Sequence, residues 1–455
     1  MSINEKIPNA VLVGVQLPSV SSEELESSLQ ELTRLVTTLG YNVIGRVTQK
    51  RGSDRSALIL GKGKLLELAE WTGGTGEVAS MVDRKLTKAA VKRLAIEEPD
   101  DVLGEVIPDE HKGTAQIVIV DTDLSPSQLR NLESAAGVTV LDRTGVIIEI
   151  FSRHARTKAA RLQVEIARLT YVAPRLRETG GGQDRQGGGV GGKGAGESSL
   201  ELDKRKIRDR IKELKEELLA IGNEHHVRQS RRKQELTVAL VGYTNAGKSS
   251  LMRALTGSQV LVADKLFATL DTTIRPLHPE SRPKILVSDT VGFIKKLPHD
   301  LVASFKSTLD EAHNASLLLF VVDAADPSFR SQLKVTQNVL AEVGVQDIPS
   351  LLVLNKRDCL SEQQAADLRN EFPDAIMIST RDRDDLLALR NKVVSYFESD
   401  MVEEDIFVPY TATGVIGEIR AKMRVLGESY NESGVTLKVR STQENLKRIK
   451  KLSPK

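Results

Sequence analysis

One cysteine, Cys359, is all that 455 residues contain. That excludes an intramolecular disulfide framework and cysteine-cluster zinc sites, and it fits a reducing cytosol. Charge of one sign is also missing, since 64 Lys+Arg against 62 Asp+Glu leave only +2. A uniformly basic nucleic-acid coat is therefore not expected, although local basic patches remain open. No apolar run approaches the ~20 residues of a membrane span; the longest is Leu317–Val322 with its neighbours. Near the start only Val11–Val15 is apolar, so no signal peptide is expected and a soluble, cytoplasmic protein is. What is present is a globular composition, 40% apolar and 28% charged. At ~150 residues per domain the length suggests about three domains.

Residues 1–141 read as an α/β domain. Strands are predicted at Ala10–Val15, Tyr41–Val47, Gln116–Val120 and Val138–Leu141, and helices at Ser21–Leu39, Lys62–Trp71 and Ser125–Ala136. Between them, about 72–113, lies an insertion of mixed charge with one expected helix, Leu86–Glu97.

Residues 142–235 change character. Positions 151–177 carry seven basic residues (Arg153, Arg156, Lys158, Arg161, Arg168, Arg175, Arg177) against one acid, Glu165. A loop at 180–196 follows, with ten glycines in seventeen residues. Leu200, Ile207, Ile211, Leu214, Leu218 and Ile221 then repeat at heptad spacing. Two helices of roughly 30 residues, each about 45 Å long, would form a hairpin arm burying Leu162, Ile166 and Leu169 against the second helix. A solvated coiled coil explains this pattern, and so does a basic probe for phosphate-rich surroundings; the one-sided charge favours the probe.

From 236 to 400 strand and helix alternate, the pattern of a mostly parallel sheet covered by helices. Strands are predicted at Leu236–Val241, Lys284–Ser288, Leu317–Val322, Leu351–Leu354 and Ala375–Ile378, with helices at Ala303–His313, Ser331–Val343 and Asp384–Tyr396. Residues 401–455 have two strand candidates, Ile406–Tyr410 and Val435–Val439, around a helix, and read as a small basic C-terminal module or a solubilising tail.

Three motifs fall at strand ends. Gly242-Tyr243-Thr244-Asn245-Ala246-Gly247-Lys248-Ser249 fits G-x-x-x-x-G-K-[ST] between a strand and a helix. Backbone N–H groups of Asn245–Ser249 would surround the β-phosphate, Lys248 would bridge β- and γ-oxygens, and Ser249 would ligate Mg²⁺. Asn355-Lys356-Arg357-Asp358 chooses the base. A carboxylate at Asp358 accepts the ring N–H and amino N–H of guanine, which adenine cannot offer, while Asn355 reaches the other edge. In Asp289-Thr290-Val291-Gly292, Asp289 would hold a water on Mg²⁺ and Gly292 would bring its amide to the γ-phosphate. Between them, Phe267-Ala268-Thr269-Leu270-Asp271 offers Thr269 as a second Mg²⁺ ligand, sensitive to the γ-phosphate. Together these are a GTPase signature with Lys248, Thr269 and Gly292 as candidate catalytic groups. Phe293 stands where a water-orienting Gln is often found, so intrinsic hydrolysis is expected to be slow.

With these residues the chain resembles the HflX-family GTPases over about residues 10–400. Beyond the nucleotide motifs the likeness rests on Leu124-Ser-Pro-Ser-Gln128, Leu141-Asp-Arg-Thr-Gly145, Ile148–Arg156, Gln163-Val-Glu165, Gly196-Glu197 and Leu200-Glu-Leu-Asp203. The resemblance implies a P-loop GTPase domain with a mostly parallel sheet, an α/β domain and long helical hairpin before it, and a small α+β module after it. It also implies a hydrophobic residue at Phe293, and Ser379-Thr380-Arg381, in place of the family's Ser-Ala-Lys, backing the guanine. The partner implied is the large ribosomal subunit with its rRNA, the arm reaching toward the peptidyl-transferase region to split or rescue stalled or idle ribosomes. A ribosome- or RNA-binding GTP switch with little turnover is the alternative. Peripheral contact with a membrane surface ranks last, no DNA partner is expected, and a monomer is.

Overall fold

The computed structural model describes residues 7–54, 56–78, 107–176, 199–232, 235–258, 266–267, 273–296 and 311–452. The expected helix Leu86–Glu97 and the glycine-rich loop 180–196 lie outside them. The chain divides into two compact units, residues 1–218 and 219–455.

In the first unit, β1 (Asn9–Gln16), β2 (Asn42–Lys50), β3 (Ala115–Val120) and β4 (Thr139–Asp142) make one parallel sheet in the order β2-β1-β3-β4. Val11, Leu12, Val13, Val118, Ile119 and Val120 are all fully buried, as strands covered on both faces require. Helix α1 (Ser22–Thr38) starts where Ser21 accepts the Glu24 N–H at 3.1 Å. After α2 (Lys62–Thr72), α3 (Pro126–Ala136) opens on a reciprocal capping box between Ser125 and Gln128 and ends at left-handed Gly137.

The expected long first helix of the arm is two helices, α4 (Arg143–His154) and α5 (Lys158–Val172). Asp142 caps α4, accepting from the Gly145 N–H at 2.8 Å, and Thr157 caps α5, accepting from the Ala160 N–H at 3.1 Å. The break at Ala155–Thr157 is thus a second helix start written into the sequence. Helix α4 belongs to the sheet domain: Val146, Ile147, Ile150 and Phe151 are fully buried, and Arg143 is buried in ion pairs with Asp121, at 2.9 Å, and Glu31. Asp121 also accepts from the Ser28 hydroxyl at 2.6 Å.

Asp142 ties this domain to the end of α5. Its two oxygens accept from Tyr171 Oη (2.8 Å), Arg175 Nη2 (2.8 Å) and the Leu124 N–H (3.1 Å), and Arg175 lies over the Tyr171 ring. Burial and the Asp142 charge push the Tyr171 phenol up. Arg175 is therefore turned inward, off the expected basic face, while Arg153, Arg156, Lys158, Arg161 and Arg168 are exposed; Arg177 lies outside the described residues. Helix α6 (Ser199–Arg232) runs 34 residues, about 50 Å. Its heptad residues are the least exposed of each turn: Leu214 is buried and Ile207, Ile211, Leu218 and Ile221 half-buried. On α5, Leu162 and Ile166 are buried and Leu169 half-buried, and Lys158 pairs with Glu217 at 3.3 Å.

In the second unit, β5 (Leu236–Val241), β6 (Thr273–Pro276), β7 (Ile285–Asp289), β8 (Leu317–Asp323), β9 (Ser350–Asn355) and β10 (Ile376–Met377) form a sheet in the order β10-β9-β8-β5-β7-β6. Every pairing is parallel except that of the edge strand β6 with β7. Helices α7 (Lys248–Thr256), α8 (Phe329–Glu342), α9 (Glu362–Glu371) and α10 (Arg383–Ser399) connect them. Of the expected helix Ala303–His313 only positions 311–313 are described, and they are helical. The C-terminal module has more than the two strands expected. It contains β11 (Val402–Pro409), α11 (Thr413–Lys422), β12 (Arg424–Tyr430), β13 (Gly434–Ser441) and α12 (Gln443–Leu452), with antiparallel order β11-β13-β12. Glu398 of α10 pairs with Arg424 and, at 3.5 Å, with Arg440 of that module. Among the described residues no helix is long and apolar enough to cross a membrane.

Candidate nucleotide site

Because β5, β7, β8 and β9 are parallel, their carboxyl ends reach one edge of the sheet, where open α/β sheets bind ligands. The loop Gly242–Gly247 leaves β5 there, Asp289–Gly292 leaves β7, and Asn355–Asp358 leaves β9. The three motifs read separately from the sequence are thus brought together, and Ser379–Arg381 follows β10 at the same edge.

The phosphate loop is stitched to both neighbours. Asn355 Nδ2 donates to the Ala246 carbonyl at 2.8 Å, and a Cβ at Gly247, whose φ is +94°, would sit 2.2 Å from that nitrogen. On the other side the Thr244 N–H donates to the Phe293 carbonyl (2.8 Å), the Phe293 N–H to the Gly242 carbonyl (3.1 Å), and the Lys295 N–H to Tyr243 Oη (2.6 Å). Phe293 is itself 3% exposed, so its ring packs and its main chain clamps. Gly292 sits against this clamp; a Cβ there would come within 2.8 Å of Thr244 Cγ2 and 3.1 Å of Lys248 Nζ.

Lys248 donates to the carbonyls of Gly242 (2.9 Å) and Tyr243 (2.8 Å). Burial pulls its ammonium down to about 8, with Asp289 acting in the opposite direction. Ser249 Oγ donates to Asp289 Oδ2 at 2.7 Å, and Asp289 is fully buried. A hydroxyl and a carboxylate converging at the start of α7 form an all-oxygen donor set that fits Mg²⁺, which keeps most of its shell as water and phosphate. Among the described residues no three His, Cys, Asp or Glu side chains cluster as a self-sufficient metal cage.

On the base side, Asp358 Oδ1 accepts from Ser379 Oγ (2.8 Å) and Oδ2 from Arg381 Nη1 (3.2 Å). These partners, Ser379 first, hold the carboxyl below its usual range. Lys356, in the left-handed region at φ 63°, pairs with Asp323 at 2.6 Å. Arg357 pairs with Asp382 (2.9 Å) and Asp385 (3.1 Å), and Asp385 accepts the Ser379 N–H at 2.8 Å. Thr290 Oγ1 donates to the Leu240 carbonyl at 2.8 Å, and Val291 is buried. Phe267 is buried at φ 58°, whereas Ala268, Thr269, Leu270 and Asp271 lie outside the described residues. Sequence reasoning missed Asp323, Asp382 and Asp385. The one signal available was their position at the end of β8 and at the start of α10, where acids both cap and face bound groups.

Fold and site together define a P-loop GTPase. Residues 26–103 and 101–152 match the family described as GTP-binding GTPase N-terminal, 154–232 the GTP-binding GTPase Middle Region, and 237–356 the 50S ribosome-binding GTPase. The GTPase HflX of Gluconacetobacter diazotrophicus is 58% identical over 99% of both chains. The GTPase HflX of Escherichia coli is 34% identical over 98% of this chain and 96% of its own. A GTP-binding protein of Sulfolobus solfataricus, solved with GDP, aligns over 85% of this chain and 98% of its own at 25% identity and a TM-score of 0.42. The chain belongs to the HflX family, and it is a GTP hydrolase.

Proposed function

We propose that this GTPase associates with the large ribosomal subunit and uses GTP binding and hydrolysis to split or rescue stalled or idle ribosomes. The observation that carries the reading is the exposed basic face of α5, supported by the 34-residue helix α6. Such a surface suits rRNA, whose phosphates attract it and whose grooves are read by shape. The match of residues 237–356 to the 50S ribosome-binding GTPase family supports the same partner.

At the site, the Gly242–Ser249 loop cradles the phosphates, Lys248 leaves its two carbonyls for β- and γ-oxygens, and Gly292 presents its amide to the γ-phosphate. Asp358 and Asn355 hold guanine, with the amides of Thr380 and Arg381 on its carbonyl oxygen and the stem of Lys356 beside the ring. Ser249 and Thr269 would hold Mg²⁺, with Asp289 reaching it through water. When bound, that ion neutralises charge between the β- and γ-phosphates.

The experiment is light scattering of intact ribosomes mixed with the chain and GTP. A fall in scattering that requires GTP and disappears in Lys248→Ala supports splitting. Unchanged scattering, with the chain still co-sedimenting, leaves binding without splitting. That second outcome would favour a GTP switch with little turnover, a reading to which the buried, apolar Phe293 lends weight.

A further inference from the structure

Hydrolysis needs a group that aligns the attacking water, and Phe293 supplies none. A hydroxyl that could serve belongs to the phosphate loop. Thr244 is 7% exposed, its main chain fixed by the 2.8 Å bond to the Phe293 carbonyl. Its methyl is the first atom a Cβ on Gly292 would meet, at 2.8 Å, and Lys248 Nζ lies 3.1 Å from that same point. With Gly292 giving its amide to the γ-phosphate as proposed, this is the γ-phosphate end of the loop. Thr244 Oγ1 is buried and has no hydrogen-bond partner among the described residues. Buried hydroxyls are nearly always paired, so one left open beside a phosphate cradle points to the ligand as its partner. A β-branched side chain also holds few rotamers, so the seated methyl restricts where the hydroxyl goes.

We infer that Thr244 is a catalytic residue, its hydroxyl aligning the attacking water with the γ-phosphate in place of the group Phe293 lacks. A hydroxyl has one proton to donate and two lone pairs, so it donates to a γ-phosphate oxygen and accepts from the water at once. The water oxygen forms the new bond to phosphorus. The bond from phosphorus to the β–γ bridging oxygen breaks, and its electron pair leaves on GDP. The water's proton ends on the released phosphate, and Thr244 is unchanged. This inference rests on the phosphate loop being the GTP site.

The test is single-turnover GTP hydrolysis by the full chain with Mg²⁺, alongside the affinity for a fluorescent GDP analogue. Thr244→Val keeps the shape and removes the hydroxyl; its hydrolysis should fall about tenfold or more while GDP affinity stays within about twofold. Thr244→Ser should recover most of that loss. Native hydrolysis in Thr244→Val, or equal losses in the Val and Ser variants, would overturn the inference. If Thr244→Val fails to bind GDP, Thr244→Ala against Thr244→Ser makes the same comparison. Tight GDP binding by Lys248→Ala would instead overturn the site reading itself.

Discussion

Asn355 shows how much one side chain settles. It is 1% exposed, reaches the phosphate loop through the Ala246 carbonyl, and lies where any Cβ on Gly247 would collide. Gly247→Ala must therefore move the loop or the base-binding strand end, and nucleotide affinity should fall by about two orders of magnitude, measured by titration with a fluorescent GDP analogue. Asp358 makes a different test. As a carboxylate it only accepts; Asp358→Asn turns one acceptor into a donor facing two guanine donors. Affinity for GTP should drop by roughly 2–3 kcal/mol, and xanthosine triphosphate, which has a carbonyl in place of the amino group, should gain. Unchanged preference in a competition assay would remove Asp358 from the base site. Lys248 adds a pH signature. Burial lowers it from 10.5 to about 8 without nucleotide, whereas phosphate favours the charged form. Above about pH 8 binding should therefore take up a proton and weaken as pH rises; calorimetry in buffers of different ionisation enthalpy measures the uptake. For the nucleotide-free chain the sign is opposite. Between about pH 8 and 10.5 the unfolded lysine keeps its proton and the buried one has lost it, so this group's contribution to stability rises with pH.

Among the elements, those with loud periodicity or caps were legible. Strands β1, β3, β5 and β8 are mostly apolar, β-rich runs, and their predicted bounds lie within a residue or two of those observed. The edge strand β6, Thr-Ile-Arg-Pro, has neither alternation nor an apolar run and went unread. So did α9, although Ser361 and Gln364 spell a capping box, because its buried residues are only Ala365 and Leu368. The arm was misjudged for a related reason. Apolar spacing continues smoothly across Phe151–Leu162, and only the cap at Thr157 betrays the break that leaves α4 on the sheet. Tertiary partners such as Asp121 for Arg143 cannot be read from spacing. Asp142 is the residue on which this junction turns, since four donors from four places meet it. Asp142→Ala would take the acceptor from the half-buried Tyr171 hydroxyl and the carboxylate from Arg175, leaving Arg175 the Tyr171 and Leu124 carbonyls. It should lower the stability of the first unit by roughly 1–3 kcal/mol, seen as an earlier first transition on thermal unfolding. A transition within about 2 °C of the native one would show the junction to be incidental.

For the whole molecule, a formal charge of only +2 conceals an uneven distribution. Basic side chains stand exposed on α5, and residues 411–455 hold ten Lys/Arg against four Glu, while the nucleotide edge of the sheet carries Asp289, Asp323, Asp358, Asp382 and Asp385. The exposed cations would suit a polyanionic partner, while these acids lie among Lys248, Lys356, Arg357 and Arg381 at the proposed nucleotide site. In the C-terminal module several are already committed, as in the Arg420–Glu428 and Arg448–Glu418 pairs; on α5 Lys158 is paired with Glu217 while Arg161 and Arg168 stand exposed, and this face is the contact proposed for the partner. With Phe293 buried and apolar, hydrolysis is expected to be slow alone and faster on the proposed partner, which would add to the water alignment assigned to Thr244. The most direct measurement is GTP hydrolysis by the purified chain, alone and with large ribosomal subunits, at two salt concentrations. The account predicts stimulation of about tenfold or more, roughly 1.4 kcal/mol of barrier, that weakens as salt rises. Tight GTP binding with no stimulation at either salt would contradict it.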